Sequence, residues 1–181
     1  MAPAAVLGRL ETERLILRPS REDDAAAFRA LWTERDPRVP ARRQIGSDGR
    51  PTVQEIAARI STERQEEPRL RLLTVVRKES ADAIGYCGLI PQGNGSPDEP
   101  ELAYELLRAA HGRGFATEAA LAVVAWARGA GYPRLWAGVW DWNTPSRRVL
   151  QKLGFQETSR AGPRSVHGSS LLTVLELSIS C

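Results

Sequence analysis

The nine residues HGRGFATEA (111–119) constrain this chain more than any other stretch. They follow ELAYELL (101–107), which reads as a strand, and open GFATEAALAVVAWARGAG (114–131), the longest helix the sequence predicts. A strand that turns through glycines into a long helix presents free backbone N–H groups at the positive end of the helix dipole, a ready anion site. Gly112 and Gly114 let the backbone approach an anion where a side chain would obstruct it. Two familiar phosphate loops do not fit. The Walker loop needs Gly-Lys-Ser/Thr after four residues, which is absent. The dinucleotide fingerprint needs a third glycine where Thr117 stands and an acid about 20 residues on, and Asp141 comes too late. On its own the motif is either helix punctuation or a phosphate cradle.

The rest of the chain supplies alternating elements. RLILRP (14–19) reads as a strand, with Leu15 and Leu17 alternating against Arg14, Ile16 and Arg18. SREDDAAAFRALW (20–32) reads as a helix, with Ser20 and Asp23 as a capping box; TVQEIAARISTERQ (52–65) repeats the pattern with Thr52 and Glu55. Between them, residues 35–51 form a loop long enough to suspect function. RLRLLTVVRK (69–78) and AIGYCGLIP (83–91) read as a hairpin, followed by a turn-rich loop at 92–100. RLWAGVW (134–140) is a strand, TPSRRVLQKLG (144–154) a helix capped by Asn143, and FQETSR and SLLTVLELSIS two closing strands. Strand–helix–strand units in the second half predict an α/β (α+β) fold of about six to seven strands and about four helices, in a single domain over 1–181.

Composition excludes several classes. Hydrophobic residues are 42% and charged residues 26%, ordinary for a globular domain. The net charge of +3 is scattered rather than striped and no aromatic set interleaves it, so nucleic acid is not an expected partner. Two cysteines (Cys87, Cys181) and two histidines make no usual zinc spacing, and no metal is expected. No apolar run reaches membrane-spanning length and MAPAAVLGRLETERL lacks a signal-peptide core, so the expectation is a soluble, cytoplasmic protein with no membrane partner.

Five stretches stand in a telling order: LRPSREDDAAAFRALW, AIGYCGLI, ELAYELL, GRGFATEAALAVVAWA and NTPSRRVLQKLGFQE. In order and spacing they resemble the GNAT superfamily of N-acetyltransferases, most closely its RimJ/RimL-like branch, from Leu10 to about Ser178. HGRGFA is similar to that family's pyrophosphate loop, Gln/Arg-x-x-Gly-x-Gly/Ala, with His111 where glutamine or arginine is usual. The resemblance implies a mostly antiparallel central sheet and acetyl-CoA as cosubstrate. It implies that the backbone from His111 through Gly112, Arg113, Gly114, Phe115 and Ala116 holds the pyrophosphate. Leu106 and Leu107 would pair with the pantetheine arm, Asn143 would contact it, and Ser146 would sit near the sulfur. Arg108, Arg113 or Arg148 would neutralise the 3′-phosphate.

The implied reaction is direct attack of a primary amine on the thioester, with a group to take the amine's proton. Glu101 is the first candidate base and Glu105, of the same strand parity, the second. A backbone N–H where the strands splay would serve the developing oxyanion. Many relatives carry a tyrosine four residues before the glycine of Gly-Phe; here that position is Leu150, which leaves Ser146 or a water to protonate the leaving thiolate. Trp140 and Trp142 are either an aromatic wall for the acceptor or core, and His167 either borders the acceptor site or lies on the surface. The acceptor is a protein N-terminal α-amine, an aminoglycoside or other antibiotic amine, or a metabolite amine; a non-catalytic acyl-CoA sensor is the rival class. The family commonly forms homodimers.

Overall fold

The computed structural model describes residues 5–66, 68–91, 98–161 and 165–177. Cys181, the tip of the 92–100 loop and the end of the final predicted strand lie outside them. A single eight-stranded sheet runs β1(Leu10–Glu11), β2(Leu15–Pro19), β3(Leu72–Arg77), β4(Ala83–Ile90), β5(Glu101–Leu106), β6(Arg134–Trp140), then β8(Ser170–Glu176) and β7(Gln156–Ala161) at the far edge. Every neighbouring pair is antiparallel except β5 with β6. Four helices complete it: α1(Ala25–Glu34), α2(Val53–Glu66), α3(Phe115–Ala130) and α4(Thr144–Leu153). The fold is therefore the mixed α/β arrangement the sequence implies, with one strand more than expected, the two-residue β1 that pairs Leu10 with Leu17.

The core forms where strand and helix periods converge. Leu15, Leu17, Leu73, Val75, Cys87 and Leu89 stand on one face of the sheet and are buried against α3. That helix contributes Phe115, Ala119, Ala120, Val123, Val124 and Ala127, which recur at the three- and four-residue spacing of one helix face, so one stripe of it is apolar. On the other face, Phe28 of α1 meets Tyr86 edge-on at 6.2 Å, and a smaller cluster of Ala25, Ile56 and Ile60 joins α1 to α2. Among the described residues no helix is long and apolar enough to cross a membrane.

Local signals resolve unequally. The Thr52–Glu55 capping box forms: Thr52 N–H donates to Glu55 Oε2 (2.8 Å) and Glu55 N–H to Thr52 Oγ1 (3.2 Å). The Ser20–Asp23 box does not. A 3₁₀ turn, Glu22–Asp24, precedes α1, and Asp24 rather than Asp23 takes the Arg21 N–H (2.8 Å). Asp24 is drawn inward by Arg18, which binds both its oxygens at 2.7 and 2.8 Å, and by the Thr74 hydroxyl at 2.9 Å. A two-point ion pair with a buried hydroxyl outcompetes the local cap.

Candidate active site

The site begins where two strands part. Trp136 N–H donates to Pro100 O at 2.9 Å and Glu101 registers with Trp136, but no further pair joins β5 to β6. On its other side β5 stays in register with β4 from Glu101 to Leu106. Backbone groups in an antiparallel pair alternate in direction. Leu107 N–H reaches Ile84 O on the β4 side, so Tyr104 and Leu106 turn their N–H and C=O toward the opening. The splay widens into a cleft of about 870 Å³ bounded by α3, α4, the β6 strand end and the segment after α1.

Glu101, Leu106, His111, Gly112, Gly114, Phe115, Ala116, Asn143 and Ser146 all line this cleft, although they come from separate parts of the chain. Leu107 and Arg113 are not among the lining residues. Leu107 requires a correction, because its N–H is held by Ile84 and its C=O by the Ala110 N–H (2.8 Å). An arm pairing along β5 has Tyr104 and the Leu106 N–H to bond instead, the Leu106 carbonyl already accepting from His111.

The glycine loop is built as its composition demands. Gly112 and Gly114 have φ of +72° and +80°, a region that favours glycine. Gly114 is the N-cap of α3, so the first-turn N–H groups of that helix have no acceptor within it. His111 donates from Nε2 to Leu106 O (2.8 Å), since a carbonyl only accepts. Arg14, which alternates with Leu15 and Leu17 at the start of the RLILRP strand, fixes the loop. Its guanidinium donates to Arg113 O (3.0 Å), lies 4.5 Å over the Phe115 ring and pairs with Glu118 at 2.5 Å.

The two candidate bases separate sharply. Glu105 accepts Arg35 Nε at 2.8 Å, Arg35 Nη2 at 2.6 Å and the Tyr86 hydroxyl at 2.7 Å, with the Arg35 side chain only 7% exposed. A carboxylate so held is a structural anion. Glu101 accepts only the Gly138 N–H (3.2 Å) among the described residues, leaving lone pairs open to the cleft.

Asn143 caps α4, taking the Ser146 N–H on Oδ1 at 3.2 Å. This presents Ser146 on the wall opposite β5. There the Tyr104 hydroxyl lies 2.9 Å from Ser146 Oγ and 3.0 Å from Ser146 O. Burial is the main force raising the Tyr104 phenol, to about 12, so it stays protonated at neutral pH. Leu150 is buried in the core. The phenol beside Ser146 thus comes from the strand, a contact between residues 42 apart that local sequence does not signal.

Of the residues proposed for a 3′-phosphate, Arg148 lines the cleft from α4 beside Lys152, and neither has a side-chain partner among the described residues. Arg108 lines it too but is tied to the end of α1, its N–H on Glu34 Oε2 (2.7 Å) and its Nη2 on Glu34 O (2.6 Å). Trp140 and Trp142 both line the cleft rather than the core, with ring planes 5° apart and centroids at 6.4 Å. His167 braces that wall: its Nδ1–H donates to Arg38 O (2.9 Å), and its own carbonyl accepts Trp142 Nε1–H (2.8 Å). At the adjacent Gly168, φ +95°, a Cβ would come within 2.6 Å of Asp141 Oδ1 and 2.8 Å of Trp142 Cδ1.

Known proteins agree with this architecture. A protein of Bacillus licheniformis named as an uncharacterized N-acetyltransferase, p20, is 32% identical over 82% of each chain. The solved ribosomal-protein-S5-alanine acetyltransferase of Vibrio fischeri superposes with a TM-score of 0.68 over 93% of this chain and 96% of its own, at 19% identity. The Salmonella typhimurium acetyltransferase yncA, solved with its cofactor acetyl-CoA, gives 0.64 over 91% and 94%, at 18% identity. The model of the acetyltransferase (GNAT) domain matches residues 14–156, and with that span covering both the glycine loop and the α4 segment, the chain belongs to the GNAT family and is an N-acetyltransferase.

Proposed function

We propose that this enzyme transfers acetyl from acetyl-CoA to a primary amine, with the coenzyme held between the glycine loop and the free edge of β5. The observation that carries this is the pairing of that loop with the splay: unsatisfied N–H groups at the start of α3 adjoin a strand edge whose Tyr104 and Leu106 backbone groups face the cleft. Such donors suit a pyrophosphate and such an edge suits an extended amide chain. Arg148 and Lys152, uncommitted on α4, suit the 3′-phosphate.

When bound, acetyl-CoA supplies the acetyl thioester that the amine attacks. Glu101 takes the amine's proton, directly or through water, because its carboxylate lines the cleft at the splay and, unlike Glu105, is held by no cation among the described residues. Ser146 offers a proton toward the departing sulfur, and Tyr104 orients the serine hydroxyl. The acceptor class suggested by the RimJ/RimL resemblance is an N-terminal α-amine. Such an amine titrates near ~7.8 against ~10.4 for lysine, so roughly 400-fold more of it is neutral at pH 7. That favours an α-amine where only one carboxylate serves as base.

The test is calorimetric. Acetyl-CoA and dephospho-coenzyme A are titrated into wild type, Gly114→Glu and Glu101→Gln. Micromolar binding of acetyl-CoA to wild type, weaker binding of the dephospho form and loss in Gly114→Glu are expected. Glu101→Gln should bind acetyl-CoA normally yet lose about 10²–10⁴-fold in kcat for amine acetylation, the range of a general base. Wild type that binds neither ligand overturns the proposal.

A further inference from the structure

We infer that the acceptor is a monoamine that carries an anionic group such as a carboxylate beyond the amine, and that the cleft discriminates against polycations. This rests on the acetyl-transfer reading and follows from which cleft charges are already occupied. Four carboxylates line the cleft: Glu34, Asp36, Glu101 and Glu105. Glu105 is bound at both oxygens by Arg35. Asp36 takes Arg38 Nε (2.9 Å), Arg38 Nη2 (2.8 Å) and the Arg38 N–H (2.9 Å). Glu34 accepts the Arg108 N–H. Glu34 and Glu101 are thus the two without a cation partner among the described residues, each held by one backbone N–H, at 2.7 and 3.2 Å. A polycation needs several free carboxylates, and here arginines already neutralise two of the four, leaving Glu34 and Glu101.

The cations are not matched in the same way. Arg35 and Arg38 are paired, whereas the Arg43 guanidinium has no partner among the described residues. The Arg43 carbonyl accepts Arg35 Nη1 at 2.8 Å, which anchors this arginine's backbone to the half-buried Arg35–Glu105 pair. With Arg148 and Lys152 suited to the coenzyme's 3′-phosphate, Glu101 to receive an amine and Arg43 to receive an anion share the cleft with the Trp140–Trp142 wall. The wall suits the carbon skeleton between those two charges, and Arg38, 4.0 Å above the Trp142 ring, covers one aromatic face.

The experiment uses the full chain saturated with coenzyme A and three probes with the same α-amine: Ala-Glu-amide, Ala-Gln-amide and Ala-Lys-amide, with kanamycin as the polycation. Quenching of tryptophan emission reports binding without turnover, and thiol release with acetyl-CoA reports kcat/KM. Ala-Glu-amide should be favoured over Ala-Lys-amide by about tenfold in both readouts, with Ala-Gln-amide between, as expected of a solvent-facing charge contact. Arg43→Gln should shrink the spread to about twofold and Arg43→Lys should retain most of it, while acetyl-CoA binds all three proteins alike. Equal or tighter binding of Ala-Lys-amide or kanamycin overturns the inference. So does a preference that survives in Arg43→Gln, or the absence of both quenching and turnover with every peptide. If peptides quench in the expected order but no thiol is released, the charge rule stands and the transfer reading fails.

Discussion

Ser146 and Tyr104 illustrate what one hydrogen bond decides. The Tyr104 phenol, kept protonated by burial, sits within 3.0 Å of two Ser146 oxygens. If it orients the serine hydroxyl, Tyr104→Phe should lower kcat by about tenfold, the worth of one hydrogen bond near 1.4 kcal/mol, with acetyl-CoA affinity unchanged. Ser146→Ala should cost at least as much, and the double variant little more than the larger single effect, because the two share one contact. An acetyl donor with a more acidic leaving thiol should recover part of the loss. Additive losses measured by steady-state kinetics would separate the residues. Asp24 makes the stability counterpart. Burial alone would raise its carboxyl, but bonds from Arg18, the Arg21 N–H and Thr74 prevail and hold it below 3.8. A carboxyl depressed in this way contributes fully above its ordinary value and loses that contribution as pH falls from there through the lower folded-state value. Asp24→Asn should cost about 3 kcal/mol at neutral pH in urea unfolding, since it leaves Arg18 unmatched, and the deficit against wild type should narrow below pH 4.

At the level of elements, the start of α3 depends on a strand far away in sequence. Glu118 accepts from the Thr12 hydroxyl at 2.6 Å and from Arg14 N–H at 2.9 Å, while Arg14 holds the Arg113 carbonyl. The β1–β2 turn is thereby tied to the glycine loop. Arg14→Ala should loosen the loop and weaken acetyl-CoA binding several-fold by calorimetry, with kcat at saturating coenzyme nearly retained. A change confined to kcat would place Arg14's role elsewhere. The elements themselves were legible from sequence. Helices α2, α3 and α4 begin within a residue of their expected starts, because Thr52–Glu55, the glycine turn and Asn143 act within a few residues of chain. The start of α1 was misread because Arg18 and Thr74, not the local turn, claim the carboxylate.

Across the whole molecule, the segment after α1 is joined to the sheet through the half-buried Arg35–Glu105 pair. Arg35 binds Glu105, donates to the Arg43 carbonyl and stacks 4.4 Å over Trp32. Arg35→Ala should release this segment from the cleft and leave half-buried Glu105 beside Tyr86 without its cation. The expected result is a raised KM for the amine and a lower Tm, with acetyl-CoA affinity little changed; unchanged amine KM would show that the segment does not bound the acceptor site.

Short-range physics explains what the sequence by itself determined: strand and helix periods, the caps of α2 and α4, and the glycine turn into α3. Each of these depends on neighbours within a few positions, where steric and hydrogen-bonding preferences are nearly independent of the rest of the chain. Tertiary structure alone decided between chemically equivalent alternatives. Glu101 and Glu105 are the same residue type on the same strand parity, and only Arg35, 70 positions from Glu105, makes one a structural anion and leaves the other open. Leu106 and Leu107 are adjacent leucines, and only the β4 ladder turns one toward the cleft and the other away. Which charges remain free is a property of long-range pairing, and the local pattern carries no record of it.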